Sequence, residues 1–344
     1  MGVLDASDSR LADLTQWVVD DLGFAGSLIA PASVDASFRR YFRVTRDADS
    51  YIVMDAPPAK EDVGPFVKVA RLLAGIDLNV PLILARDLDR GFLLLSDLGS
   101  RQYLDELAVP GAADRLYADA LRSLLKMQTA DAGLSRALPR YDRTLLVNEM
   151  QLMPEWFLSR HLGLTVELEE RAMLDRLFES LVRSAAAQPA AFVHRDYHSR
   201  NLLLRAQDNP GILDFQDAVY GPITYDLASL LKDCYIAWPA PRVRAWALNY
   251  REQLLAAGVA LPQSAAEFMR WFDLMGLQRH IKVLGIFSRL YYRDGKPQYL
   301  NDLPRVLQYA KDAAAAYHET KEFADFIATR IDPEFPAAQK RGLQ

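Results

Sequence analysis

The chain has 344 residues, 51% of them hydrophobic and 25% charged, with a formal net charge of −5. That length exceeds one small core and predicts two packed lobes or domains of ordinary size. The weakly acidic balance argues against nucleic acid as the main partner, because duplex binding normally shows as a basic excess. The one cysteine, Cys234, excludes an intrachain disulfide. Met1–Ser9 is polar and acidic, unlike an export signal, and no stretch approaches the roughly 20 apolar residues that span a bilayer. A cytoplasmic protein is expected, with neither a membrane nor an obligate protein as partner.

In chain order, residues 9–22 place Leu11, Leu14, Trp17, Val18 and Leu22 at helical spacing, with Ser7, Asp8 and Ser9 available as caps. From Phe24 to Pro57 the pattern becomes strand-like, with Phe38, Tyr41, Phe42 and Val44 facing Tyr51, Ile52 and Val53 across a turn at Asp47–Ser50. A helix is expected over 62–75, then strands over Leu82–Ala85 and Phe92–Leu95. The remainder reads as mainly helical, apart from short apolar runs near Phe192, Leu202–Leu204 and Ile212–Leu213. The expected division is a β-rich nucleotide-binding lobe over 1–97 and a helix-rich catalytic and substrate-binding lobe over 98–344, an α+β arrangement.

The most informative stretch is Val193-His194-Arg195-Asp196-Tyr197-His198-Ser199-Arg200-Asn201-Leu202, followed by Ile212-Leu213-Asp214-Phe215-Gln216-Asp217. An apolar run enters a polar loop, a second run leaves it, and another carboxylate follows a short hairpin. Phosphoryl transfer from ATP needs one carboxylate to orient the attacking hydroxyl and accept its proton, and oxygen ligands to hold magnesium against the phosphates. Asp196 fits the first role; Asn201 and Asp214 fit the second. A zinc site from His194, Asp196 and His198 is the competing reading. Arg195 stands where the zincin helix needs a glutamate, and no further cluster completes such a site.

His194-Arg195-Asp196 with Asn201 and Asp214 resembles the catalytic and metal-binding segments of protein kinases, and more closely those of the aminoglycoside phosphotransferase-like kinases. The family's usual sequel is matched by Gly221-Pro222 and Tyr225-Asp226-Leu227-Ala228. The resemblance implies a two-lobed protein-kinase-like fold, ATP and Mg2+ as cofactors, and a support role for Asp226. It places 35–41 over the phosphates, with Ser37, Arg39 and Arg40 as donors. It also implies nucleotide contacts at Val53 and Leu203 and an inter-lobe hinge at Ser96-Asp97-Leu98-Gly99. One departure stands out: Met54, followed by Asp55, occupies the position of the usual strand lysine, and the helix at 62–75 has no central glutamate. Arg39, Arg40, Lys60 and Lys68 are the candidate replacements.

Within that family the chain resembles a subgroup of anomeric amino-sugar kinases. The resemblance is carried by Asp214–Ala218, Asp226–Tyr235, Gln278–Lys282, Arg293–Lys296 and Met54–Pro58. It implies a small-molecule sugar partner, N-acetylmuramate or N-acetylglucosamine, phosphorylated in cell-wall sugar recycling. A choline-, homoserine- or antibiotic-type acceptor, or a nucleotide-binding module without turnover, are the alternatives. Cations on the 276–296 stretch argue against a polycationic antibiotic, although each cation taken singly reads as part of a solvated helix face. Sugar contacts are expected from Glu149, Trp156, His198, Gln216 and Asp217, and a carboxylate contact from Arg279 or Lys282.

Overall fold

The computed structural model describes residues 8–34 and 38–342. The chain forms two compact units: Met1–Glu106 with Asn201–Asp217, and Leu107–Arg200 with Ala218–Gln344.

The first unit opens with helix α1 (Ser9–Gln16), capped by the Asp8 carboxylate, which accepts the Leu11 N–H at 3.1 Å. Strands β1 (Leu28–Val34), β2 (Arg40–Arg46) and β3 (Asp49–Asp55) follow, then helix α2 (Gly64–Gly75), β4 (Ile83–Asp87) and β5 (Phe92–Ser96). All five strands join one antiparallel sheet in the order β1-β2-β3-β5-β4. Pairing of Arg46 with Asp49 leaves a two-residue turn, and Asp47 takes φ +53° there, a conformation Asp tolerates. Phe42 lies opposite Val53, and Val53 opposite Leu94. All three pack into a core with Leu11, Leu14, Trp17 and Val18. A short hairpin, β7 (Leu202–Leu203) with β8 (Gly211–Ile212), belongs to this unit because Leu204 N–H donates to the Arg101 carbonyl at 2.7 Å and Ile212 N–H to that of Asn79 at 2.8 Å.

The second unit is helical except for β6 (Ala190–Val193), which pairs antiparallel with β9 (Val219–Pro222). The sequence reading did not anticipate β9, because its four residues end in Gly-Pro. A Cβ on Gly221 would lie 2.5 Å from the Tyr141 Cβ, so that glycine permits close approach and does not merely break structure. The central element is the helix Ala265–Tyr292, 28 residues long. Its Leu277, Ile281 and Leu284 share one core with Leu174, Phe178 and Leu181 of the helix Leu168–Ala186. The solvated-face reading of the 276–296 cations is corrected for Arg279 and Lys282, which are 4% and 7% exposed beside a fully buried Gln278; Arg293 is exposed, as that reading expected. No helix among the described residues is long and apolar enough to cross a membrane.

Candidate active site

In the helical unit, the buried strand β6 delivers the chain into the loop 194–200. Arg195 adopts φ +77°, a left-handed conformation that costs an L-residue about 1–2 kcal/mol. The buried Asp226 carboxylate offsets that cost by accepting the N–H groups of His194 at 2.6 Å and Arg195 at 3.0 Å. Burial lifts the Asp226 carboxyl to about 7, against the pull of those two donors. The support role expected of Asp226 is therefore visible as a pair of hydrogen bonds. His194 is fully buried and packs edge-on against Tyr197.

Asp196 follows that turn. Burial acts to raise its carboxyl, but the positive field of Lys282, Arg195 and Arg279 prevails and holds it below the usual 3.8. It is an anion at neutral pH, as a hydroxyl-orienting base requires. Two of these cations, Lys282 and Arg195, are themselves held by Glu149 on the helix Arg143–Met150. The Glu149 carboxylate pairs with Arg195, lies 2.9 Å from Lys282 Nζ, and accepts from the Tyr141 hydroxyl and, at 3.4 Å, from Gln278. Burial opposes its ionisation, and Lys282 and Arg195 overcome that and keep it below the ordinary range. Lys282 also donates to the Tyr225 hydroxyl at 3.0 Å. Arg279 Nη1 lies 3.1 Å from Cys234 Sγ. Glu149, Arg279 and Lys282, expected to meet substrate, therefore answer internal partners first: a carboxylate among buried cations is satisfied by them. His198 is buried, which drives its ring toward the neutral form. Trp156 is half-buried in the wide-turned helix Met153–Leu162 and is not among the partners of Glu149.

In the sheet-bearing unit, Asn201 and Asp214 meet directly. Asn201 Nδ2 donates to Asp214 Oδ2 at 3.2 Å, and the Leu213 N–H donates to the Asn201 carbonyl at 2.9 Å. Asp214 sits at φ +63°, and the Phe215 ring packs tilted against Phe66 of α2, with centroids 4.9 Å apart. Gln216 Nε2 donates to Asp214 Oδ1 at 2.8 Å, so its amide supports that carboxylate, while its buried Oε1 makes no hydrogen bond among the described residues. Asp217 is exposed. Arg39 Nη2 lies 3.9 Å from Asp214 Oδ1.

The nucleotide-side expectations separate. Ser37 lies outside the described residues. Arg40 is engaged by the fully buried Asp55, at 2.5 Å, and by Asp8, while Arg10 pairs with the same Asp55. These carboxylates draw Arg40 away from the phosphate role. Val53 faces the α1 core; because strand side chains alternate, the residue sharing a face with Met54 is Ile52. Met54 is itself buried. The Asp97 carboxylate accepts from Arg43 at 2.7 Å, Ser50 at 2.5 Å and the Gly99 N–H at 2.8 Å. It thus fixes the backbone of the segment expected as a hinge, where Gly99 takes φ +87°. The Ser96 hydroxyl accepts the Leu82 N–H at 2.9 Å. Leu98 and Leu203 are buried.

The sequence pattern of a phosphotransferase enzyme family matches residues 29–268. A Pseudomonas aeruginosa protein named N-acetylmuramate/N-acetylglucosamine kinase is 52% identical over 301 residues, covering 88% of each chain. A Pseudomonas putida protein of the same name is 47% identical, over 93% of this chain and 96% of that one. The crystal structure of an ADP-bound aminoglycoside phosphotransferase superposes with a TM-score of 0.58 at 15% identity, over 90% of this chain and 99% of the other. The fold is thus α+β and protein-kinase-like.

Proposed function

Because the chain belongs to the phosphotransferase enzyme family, we propose that it uses ATP and Mg2+ to phosphorylate the anomeric hydroxyl of an amino sugar, N-acetylmuramate or N-acetylglucosamine. The proposed setting is recycling of cell-wall sugars in the cytoplasm. An amino sugar as acceptor follows from the identity of 52% to a kinase named for those two substrates. The observation that carries the chemistry is Asp196, an anion on a turn anchored by Asp226.

Asp196 is placed to orient the sugar hydroxyl and to accept its proton as the new O–P bond forms and the bond to the ADP oxygen breaks. In a loose transition state that acceptance is late and modest, and an anomeric hydroxyl, more acidic than an ordinary alcohol, suits it. Asn201 and Asp214 offer an amide oxygen and a carboxylate, the hard donor set that Mg2+ shares with phosphates and water. When bound there, Mg2+ would neutralise phosphate charge. Arg39, beside Asp214, supplies the cation that Met54 cannot.

The test is a panel of acceptor sugars incubated with ATP and Mg2+, followed by phosphorus NMR of the product. The expected product is an anomeric sugar phosphate from N-acetylmuramate or N-acetylglucosamine. Phosphate on another hydroxyl, or turnover only of choline or antibiotic acceptors, would overturn the assignment.

A further inference from the structure

Arg200 is the fourth residue after Asp196, on the same loop. Its guanidinium carbon lies 3.7 Å from the centre of the Tyr235 ring. Among the described residues it has that ring as its contact and makes no hydrogen bond or ion pair. Asp302 is near enough to feel its charge but pairs with Arg305, at 3.1 Å.

The ring beneath it is firmly placed. Asp233 accepts the Tyr235 N–H with one oxygen and the Ser199 N–H with the other, both at 2.9 Å. One carboxylate thus ties the aromatic platform to the residue preceding Arg200. Tyr235 also packs edge-on against His198, with centroids 5.3 Å apart, and against Phe287 at 6.1 Å. A guanidinium held over a ring is oriented while its forked N–H donors remain available, which suits a two-oxygen anion. The other cations near Asp196 do not share this property: Lys282 answers Glu149, Arg195 answers Glu149, and Arg279 is buried against Cys234.

We propose that Arg200, carried on the Tyr235 ring, binds the carboxylate of the acceptor and thereby sets preference for N-acetylmuramate, whose lactyl group ends in a carboxylate, over N-acetylglucosamine, which has none. The inference rests on the amino-sugar reading above and names the residue that tells its two acceptors apart.

Steady-state kinetics with both sugars test it. Arg200→Gln lowers kcat/KM for N-acetylmuramate roughly 10- to 100-fold relative to N-acetylglucosamine, the scale of one charge-assisted contact. The loss appears mainly in KM, and Arg200→Lys recovers part of it. On the unaltered protein, the methyl ester of N-acetylmuramate falls toward the neutral sugar in kcat/KM, a comparison independent of any variant's folding. Equal losses on both sugars in Arg200→Gln, or an ester as good as the free acid, overturns the proposal. If the unaltered protein phosphorylates neither sugar, the amino-sugar reading itself fails, and it does so before any variant is compared.

Discussion

The role proposed for Asp196 depends on one ionisation. Asp196→Asn keeps the side chain's size and removes its charge and basicity, so turnover should fall by about 10²–10⁴-fold while ATP binding, measured by calorimetry, stays close to wild type. Its carboxyl lies below the usual 3.8, and activity requires the anion, so kcat/KM should show no acid limb from this group between pH 5 and 8. A limb near pH 7 that vanishes in Asp226→Asn would belong to Asp226, whose burial lifts it to about 7. The cation replacing the strand lysine is a second question at this scale. Arg39→Ala should raise the KM for ATP roughly ten- to a hundred-fold, whereas Met54→Ala, buried and uncharged, should act through packing and leave that constant near wild type. Initial rates at varied ATP separate the two; an Arg39 variant indistinguishable from wild type would move the role to Lys60 or Lys68.

Glu149 shows how elements are joined by charge. One carboxylate on the helix Arg143–Met150 meets Arg195 on the loop after β6 and Lys282 on the helix Ala265–Tyr292. Replacing it by glutamine leaves two buried cations without their anion, which costs about 3–5 kcal/mol and should appear as a large drop in Tm. The sign with pH is fixed: the folded carboxyl lies below its usual 4.5, so its contribution is present above that value and fades as pH falls through the depressed one. The glutamine variant should lack that component of acid destabilisation. The sequence made the loop 194–201 and Asp214 legible because their spacing is local and fixed by the chemistry. It did not reveal what Glu149, Arg279 and Lys282 do, because their partners lie far along the chain and a cation on a helix is usually solvated. Val53 was misplaced for a simpler reason: one step along a strand reverses the face. The β2–β3 hairpin and its turn were legible because alternation and an Asp-bearing turn are themselves local signals.

Neither unit of the whole molecule is a continuous stretch of chain. The sheet-bearing unit takes Asn201–Asp217 as a second segment, and that segment supplies the β7–β8 hairpin, its bonds to Arg101 and Asn79, and the Phe215 ring on Phe66. A fragment ending at residue 106 would expose Phe66 and leave those carbonyls to solvent. Such a fragment should melt without a cooperative transition by circular dichroism, whereas one carrying 201–217 on a flexible linker should regain it. Cooperative melting of the short fragment would mean that the five-stranded sheet with α1 and α2 is self-sufficient.

The chain's single thiol gives this architecture a built-in clock. Cys234 is 1% exposed and lies against Arg279, next in sequence to the tyrosine that carries Arg200. A thiol reagent reaches it only when that neighbourhood opens, so the rate of labelling, with reagent in excess, reads the opening and closing of the surface proposed to recognise the acceptor, without any engineered probe. Saturating N-acetylmuramate should slow that rate more than N-acetylglucosamine does. Equal protection by both sugars would mean that opening at Cys234 is blind to the carboxylate.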